Sequence, residues 1–459
     1  MSNQPTQNEL KEIENLFNSN ELDTLEKKTR VLIDKYPKIS ILYNILGVVL
    51  QKKNNHDEAI LNLNRAINLQ PNFDQAHNNL GNVLKETGRT EEAIDSYRKT
   101  LKTNPKYAEA YSNLGNALTE VGKIEEAIIN HQKALKLNPE YKIANLNESI
   151  ARLTLGEFEI GWKKYEARIG KNNITEMRYP IEKIWDGNYL DGVLLVWAEQ
   201  GLGDHIIFAS MLTDLKKYAK KILLQIDERL ENLLSRYFVE IDFSNIQIVK
   251  SEKELIYDKH IAIGSLGQYL RKSKEFFKTT PKKFLIASSL KENKLKEEFF
   301  NNSKFKVGIS WKTLNKKQKF RNVDLEKMIP ILSNKNCDFV NLQFGEFDED
   351  LNNINQKHGL KIRSINEIDN LKNIDGLAAL INCLDLVITI QNTTAHLSGA
   401  LGKKTWVMLT FNARWHWLKN ENKSLWYPTI KLFRQKNIGN WNDVINNISI
   451  DLKSLIQHT

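Results

Sequence analysis

At 459 residues the chain exceeds what one hydrophobic core organises, so two or three domains are expected. A hydrophobic content of 41% supports ordinary globular cores and excludes extensive disorder, while no run reaches the ~18 uninterrupted apolar residues of a membrane span. The net charge of +10 comes from Lys and Arg dispersed among 56 acids with no basic stripe, which argues against nucleic-acid binding.

The opening segment lacks the basic-then-apolar order of a secretory signal. From there to about residue 170 the sequence repeats with a period of 34. Gly47, Gly81 and Gly115 are in phase, as are Leu50, Leu84 and Leu118, then Ala59, Ala93 and Ala127, then Pro37, Pro71, Pro105 and Pro139. Small residues let two helices approach closely, Leu fills the space between pairs, and Pro ends the second helix. A further series, Asn20, Asn54, Gly88, Gly122 and Gly156, falls where each first helix should end, at positions that need a left-handed backbone. Five helix pairs over 6–170 are predicted, a pattern that resembles the tetratricopeptide repeat. Asn79, Asn113 and Asn147 share one phase on the first helices. As a ladder they would hydrogen-bond the backbone of an extended peptide, similar to the ladder of protein O-GlcNAc transferases; alternatively they are a packing habit of this repeat position.

The period ends after Ile169, and Lys171-Asn172-Asn173 opens a connecting stretch. Beyond it, short β-branched runs alternate with amphipathic helical patterns, the mark of parallel sheets with crossovers. Strands are predicted at 193–197, 221–225, 246–249 and 260–263, then, after the charged helix 291–300, at 306–311, 337–342, 384–390 and 405–409, with Leu432-Phe433-Arg434-Gln435 at the end of another. A helix over 441–457 closes the chain. The expected fold is thus α plus α/β: the repeat stack, a Rossmann-like lobe over 185–300, a second over 304–440, and the closing helix 441–459. Ligands of such doubly wound units bind at the carboxyl ends of the strands. Cys337 and Cys383 lie in apolar runs and read as buried thiols.

Three motifs carry chemistry. In Trp197-Ala198-Glu199-Gln200-Gly201-Leu202-Gly203-Asp204-His205, two glycines at a strand-to-helix turn allow close approach to the backbone, making Gln200, Gly201 and Gly203 cleft candidates. Asp204 follows in the first turn of the helix, as an acid facing the cleft or as a helix cap. In Lys306-Val307-Gly308-Ile309-Ser310-Trp311-Lys312, Gly308 thins the strand, and Ser310, Lys312 and Arg321 bring donors and positive charge that can neutralise a diphosphate. In Ile390-Gln391-Asn392-Thr393-Thr394-Ala395-His396, a strand runs into a helix start where backbone N–H groups, the two threonines and His396 favour an anion. Trp415-His416-Trp417 and Trp426-Tyr427-Pro428 either stack on a ligand or fill the core. Asp348-Glu349-Asp350 reads as a solvated polar loop rather than a metal site.

Together these segments resemble the tetratricopeptide-containing glycosyltransferases related to ADP-heptose heptosyltransferases. The resemblance implies a two-lobed GT-B fold and an inverting, metal-independent transfer from a nucleotide sugar, with no cofactor. It implies that Asp204 deprotonates the acceptor hydroxyl, that Lys312 lies near the diphosphate, and that Thr393, Thr394 and His396 belong to the donor-binding segment. It also implies a protein acceptor such as a flagellin, or a glycan, recruited by the repeats. The family commonly has Asp where Gln391 stands; glutamine keeps hydrogen bonding and loses the charge. That substitution supports the alternative of a non-catalytic adaptor with a degenerate transferase domain. A cytoplasmic protein is the expectation.

Overall fold

The computed structural model describes residues 4–170, 174–250 and 255–458, without the side chains of Lys316 and Lys317; the expected connecting stretch 171–173 lies outside the described residues. Two compact units result, Met1–Ala151 and Arg152–Thr459.

The helices pair as the period predicts: α1 (Gln7–Asn18) with α2 (Leu22–Lys35), α3 (Ser40–Lys52) with α4 (His56–Leu69), α5 (Asp74–Glu86) with α6 (Thr90–Thr103), α7 (Ala108–Glu120) with α8 (Ile124–Leu137), and α9 (Lys142–Leu155) followed by α10 (Phe158–Tyr165). All five turn residues have left-handed backbones: Asn20, Asn54, Gly88, Gly122 and Gly156 at φ 58°, 61°, 80°, 79° and 82°. A methyl group on Gly47, Gly81 or Gly115 would come within 2.6 Å of Leu63, Tyr97 or His131 on the second helix of the same pair, so the small residue sets how closely the pair packs. Leu50, Leu84 and Leu118 are buried with Ala59, Ala93 and Ala127 in one core.

The second unit contains α10, a 3-10 turn (Glu166–Arg168) and two parallel sheets. The first sheet holds β1 (Leu190–Trp197), β2 (Ala219–Gln225), β3 (Ile246–Ile248) and β4 (Lys259–Ala262) in the order β3-β2-β1-β4, with Trp197 opposite both Gln225 and Ala262. The second holds β5 (Phe305–Ser310), β6 (Cys337–Asn341), β7 (Leu386–Ile390), β8 (Thr405–Leu409) and β9 (Ile430–Arg434) in the order β6-β5-β7-β8-β9. Every residue of β7 and β8 is buried, as parallel strands covered on both faces require. The crossovers and covering helices are α11 (Leu202–Ala209), α12 (Glu231–Glu240), the single turn α13 (Gly267–Leu270), α14 (Ser289–Phe299), the single turn α15 (Ile329–Leu332), α16 (Asp348–His358), α17 (Ile374–Asn382), α18 (Thr393–Ala400) and α19 (Asn442–Gln457). The closing helix α19 belongs to the second sheet's core, where Ile445, Ile448 and Leu452 pack with Val307, Ile309 and Met408.

One local expectation is corrected. Asp348-Glu349-Asp350 is the first turn of α16 rather than a loop, where three carboxylates meet the positive end of the helix dipole.

In each sheet the strand order reverses once. The reversal falls between β1 and β4 in the first sheet and between β5 and β7 in the second. The Glu199–Asp204 turn follows β1, and Gln391–Thr394 follows β7. Both therefore leave their sheets at the switch points where doubly wound folds bind ligands.

Candidate functional site

The two switch-point turns meet. Helix α11 packs against α18, and a methyl group on Gly203 would lie 3.2 Å from His396 Cδ2, so Gly203 is what lets the first turn rest on the second. Asp204, three residues past the Gly201 N-cap, accepts a hydrogen bond from Gly201 N at 3.3 Å. It is thus a cap that also stands near Arg414 and Tyr427 of the second lobe. Burial raises its pKa above the ordinary 3.8, against the pull of the nearby Arg414 guanidinium.

Around Asp204 the second lobe contributes a polar cluster. Tyr427 is fully buried, and burial together with the Asp204 charge pushes its hydroxyl pKa well up; that hydroxyl contacts His396 Nδ1 at 2.9 Å. His396 stacks on Trp417, and burial plus the charges of Arg414 and Arg321 lower its pKa to about 3, so the ring is neutral. His416, equally buried, packs on His396 with neither ring nitrogen hydrogen-bonded. Thr394 at the start of α18 is buried with its hydroxyl unpartnered. Arg321 is 8% exposed, its Nε has no partner, and burial and the like charge of Arg414 lower its pKa to about 10. Among the described residues neither Arg321 nor Arg414 forms an ion pair. Two guanidinium groups, buried Arg321 and exposed Arg414, thus lie with an idle hydroxyl near a helix start, and Asp204 is the carboxylate beside them, close to Arg414 without an ion pair; the unpaired donors suit an anion.

The other motif residues are engaged in bracing. Asn392 caps α18, accepting from Ala395 N, while its Nδ2 donates to Ser310 Oγ at 2.8 Å and its Oδ1 accepts from Thr389 Oγ1 at 3.0 Å. Ser310 and Asn392 thereby tie β5 to β7. Gln391 Nε2 donates to Thr410 Oγ1 at 2.7 Å and its Oε1 accepts from Arg414 N at 3.2 Å, holding the segment that presents Arg414. Lys312 is ion-paired with Asp350, which also accepts from Trp311 Nε1 at 2.9 Å. Thr393, half-buried, lines a cavity of about 210 Å³ together with Thr394, Leu202, Arg229, Phe344, Asn370 and Leu371. That cavity lies between the lobes and shares Phe344, Asn370 and Leu371 with a larger one of about 370 Å³ at the end of β6, where Asn341, Gln343, Ser364 and Asp369 supply polar groups.

Trp415, Trp417, Trp426 and Tyr427 are buried, and Trp415 and Trp426 pack with Trp162 of α10 and Phe208 of α11, so these aromatics fill core. Gln200 is exposed and donates through Nε2 to Tyr165 Oη at 3.0 Å. In the first unit, Asn79 Nδ2 donates to Asn44 Oδ1 at 2.9 Å, and Asn113 Nδ2 donates to Asn78 and Asn82 Oδ1 at 3.2 and 3.1 Å. The two amides stitch successive first helices together; Asn147 lies half-buried on α9. No spacing rule in the sequence connects Arg414 with the helix start 21 residues upstream. Its one signal was a cation directly preceding Trp415-His416-Trp417.

Repeat models match the first unit: a TPR repeat over 47–88 and 81–122, and a tetratricopeptide repeat over 108–141. Residues 47–141 are tetratricopeptide repeats. A curated relative, protein FlbA of Caulobacter vibrioides (strain ATCC 19089 / CIP 103742 / CB 15), is 29% identical over 322 residues, covering 66% of this chain and 53% of FlbA. The chain therefore spans about half the length of the curated relative it matches. An alignment of 322 residues exceeds the 151 of the tetratricopeptide unit, so the similarity extends into the sheet-bearing unit. Among solved structures, MamA from Desulfovibrio magneticus RS-1 matches at 16% identity over 34% of this chain and 89% of its own, with a TM-score of 0.32. Pseudomonas aeruginosa pilF matches at 19% over 35% and 72%, with 0.33. YrrB, described as a TPR protein with an unusual peptide-binding site, matches at 17% over 36% and 84%, with 0.31. No helix among the described residues is long and apolar enough to cross a membrane.

Proposed function

We propose that the second unit is a glycosyltransferase of GT-B type that moves a sugar from a nucleotide-sugar donor to an acceptor hydroxyl, with the repeats recruiting a protein or glycan acceptor. The observation that carries this reading is that an acid of raised pKa, after the switch-point strand of the first sheet, lies near Arg414 and buried Arg321 of the second lobe, neither of them ion-paired. The adjoining cavities between the lobes and at the end of β6 have room for a nucleoside.

In the proposed reaction the acceptor oxygen forms a bond to the anomeric carbon from the face opposite the leaving group, as its proton passes to the Asp204 carboxylate. The bond from that carbon to the diphosphate breaks, and the electron pair departs on the diphosphate oxygen. Arg321 and Arg414 stabilise that growing charge, with Thr394 adding a hydroxyl donor. Gly203, by admitting His396 at close range, sets the distance between acid and leaving group. A peptide acceptor would use the repeat unit by a surface other than the amides of Asn79 and Asn113, which already have partners.

A second reading, an adaptor whose transferase domain has lost turnover, is favoured by Lys312, whose charge Asp350 neutralises, and by Gln391, whose amide is committed to the 410–414 segment. Incubating the full chain with ADP-, GDP-, UDP- and CMP-linked sugars and following release of the nucleotide separates the two. The enzymatic reading expects release from one nucleotide class, reduced by Asp204→Asn. Release from none, with stabilisation by none, selects the adaptor.

A further inference from the structure

The turn bearing Asp204 is strained, and the strain is held by α10 and the 3-10 turn after it rather than by either sheet. Gln200 stands at φ 67°, a left-handed conformation that side-chain-bearing residues keep only where their surroundings impose it. Two neighbours do so. Gln200 Nε2 donates to Tyr165 Oη at 3.0 Å. The preceding Glu199, fully buried, takes a hydrogen bond from Arg168 Nε at 2.9 Å and another from Thr175 Oγ1 at 2.7 Å. Arg168 is fully buried too, donating to the Tyr165 carbonyl at 3.1 Å and to Ser265 Oγ at 2.9 Å, with its guanidinium 4.3 Å from the Tyr165 ring centroid. Directly after Gln200, Gly201 is the N-cap of the helix whose first turn presents Asp204. The direction of the carboxylate thus follows from the dihedral angles of Gln200.

We propose that Tyr165 is a positioning residue for Asp204: its hydroxyl, backed by Arg168, tethers Gln200 in the left-handed conformation that aims the acid into the crevice. This rests on the proposed role of Asp204 as the base. The Tyr165 ring also meets Trp415 edge-on at 6.0 Å, one residue from Arg414, so the same side chain touches the elements that carry the acid and the anion site. Phenylalanine keeps that ring contact and removes only the tether.

The test uses the full chain. In Tyr165→Phe the amides of 200–205 are expected to exchange with deuterium about tenfold faster, and kcat to fall about tenfold with the donor KM within about twofold, since the anion site is unchanged. Adding Gln200→Gly is expected to restore both, because glycine adopts this backbone without a tether. Should Tyr165→Phe lose its fold, the exposed Gln200 supplies the same contrast: Gln200→Ala keeps the strained backbone without the tether and loosens the turn, whereas Gln200→Gly leaves it protected. Unchanged exchange in Tyr165→Phe, or a double variant as loose as the single, overturns the inference. The exchange comparison requires no turnover. Absence of nucleotide release by the wild type therefore overturns the proposed reaction alone, whereas absence of loosening overturns the tether alone.

Discussion

Asp204 sits where burial disfavours its charge while Arg414 partly restores it, and the balance leaves its pKa above the ordinary value. In its proposed role as general base Asp204 acts deprotonated, so kcat/KM should rise with pH through an acid limb whose midpoint lies above 3.8 and then level off. Asp204→Asn should lower kcat by about 10²–10⁴-fold and abolish that limb, the range expected for loss of general base catalysis. Because the folded-state pKa is raised, the associated stability is complete at low pH and is lost as pH rises through that value. At pH 7 the Asn variant should therefore melt no lower than the wild type. A variant that is inactive yet at least as stable separates a functional role from a structural one, and a melting point well below the wild type would show that the cap at Gly201 matters more than the charge.

At the scale of the element, the repeat turns give the sharpest contrast. Gly88 has open space around a missing side chain but a φ of 80°, whereas Gly115 has ordinary helical backbone but His131 within 2.6 Å. Gly88→Asn should be tolerated better than Gly88→Ala in thermal unfolding, since asparagine already occupies the same phase at positions 20 and 54. Gly115→Ala should cost about 1–3 kcal/mol by overpacking a buried ring; equal melting of Gly115→Ala and wild type would mean that the ring yields freely. These positions were legible in the sequence because a single residue type at a fixed spacing encodes each constraint. The strands after residue 190 were legible from their apolar runs, although the run over 384–390 begins two residues before β7, since Leu384 and Asp385 precede the ladder. The approach of the Gly203 turn to His396 is of the kind that two strand-to-helix turns at sheet carboxyl ends suggest. What could not be read was which polar atoms remain idle. Ser310, Asn392, Gln391 and Lys312 look like ligands by residue type, yet their partners, Thr389, Thr410 and Asp350, are fixed by side-chain geometry across the sheet. The asparagines of the repeats were ambiguous for the same reason.

For the molecule as a whole, the boundary between units falls at 151–152, inside α9 rather than at the end of the last helix pair. Trp162 of α10 is buried against Trp415 and Trp426 and donates through Nε1 to the Arg271 carbonyl at 2.9 Å, and Arg168 is fully buried among groups of the first lobe. A fragment starting at Lys142 should accordingly fold cooperatively and retain donor binding, whereas one starting at Gly170 should not, as judged by near-ultraviolet circular dichroism; equal folding of the two would remove α10 from the architecture of the site. The proposed enzymatic role depends on the grip of Arg321 and Arg414 on a diphosphate near Asp204. Its most direct test is calorimetric titration of the wild type and Arg321→Met with ADP, GDP, UDP and CMP. Arg321 is buried beside a like charge, so the unliganded variant should be at least as stable as the wild type while binding its nucleotide at least tenfold more weakly. Binding of no nucleotide by the wild type, or equal affinity in the variant, would show that Arg321 grips no diphosphate.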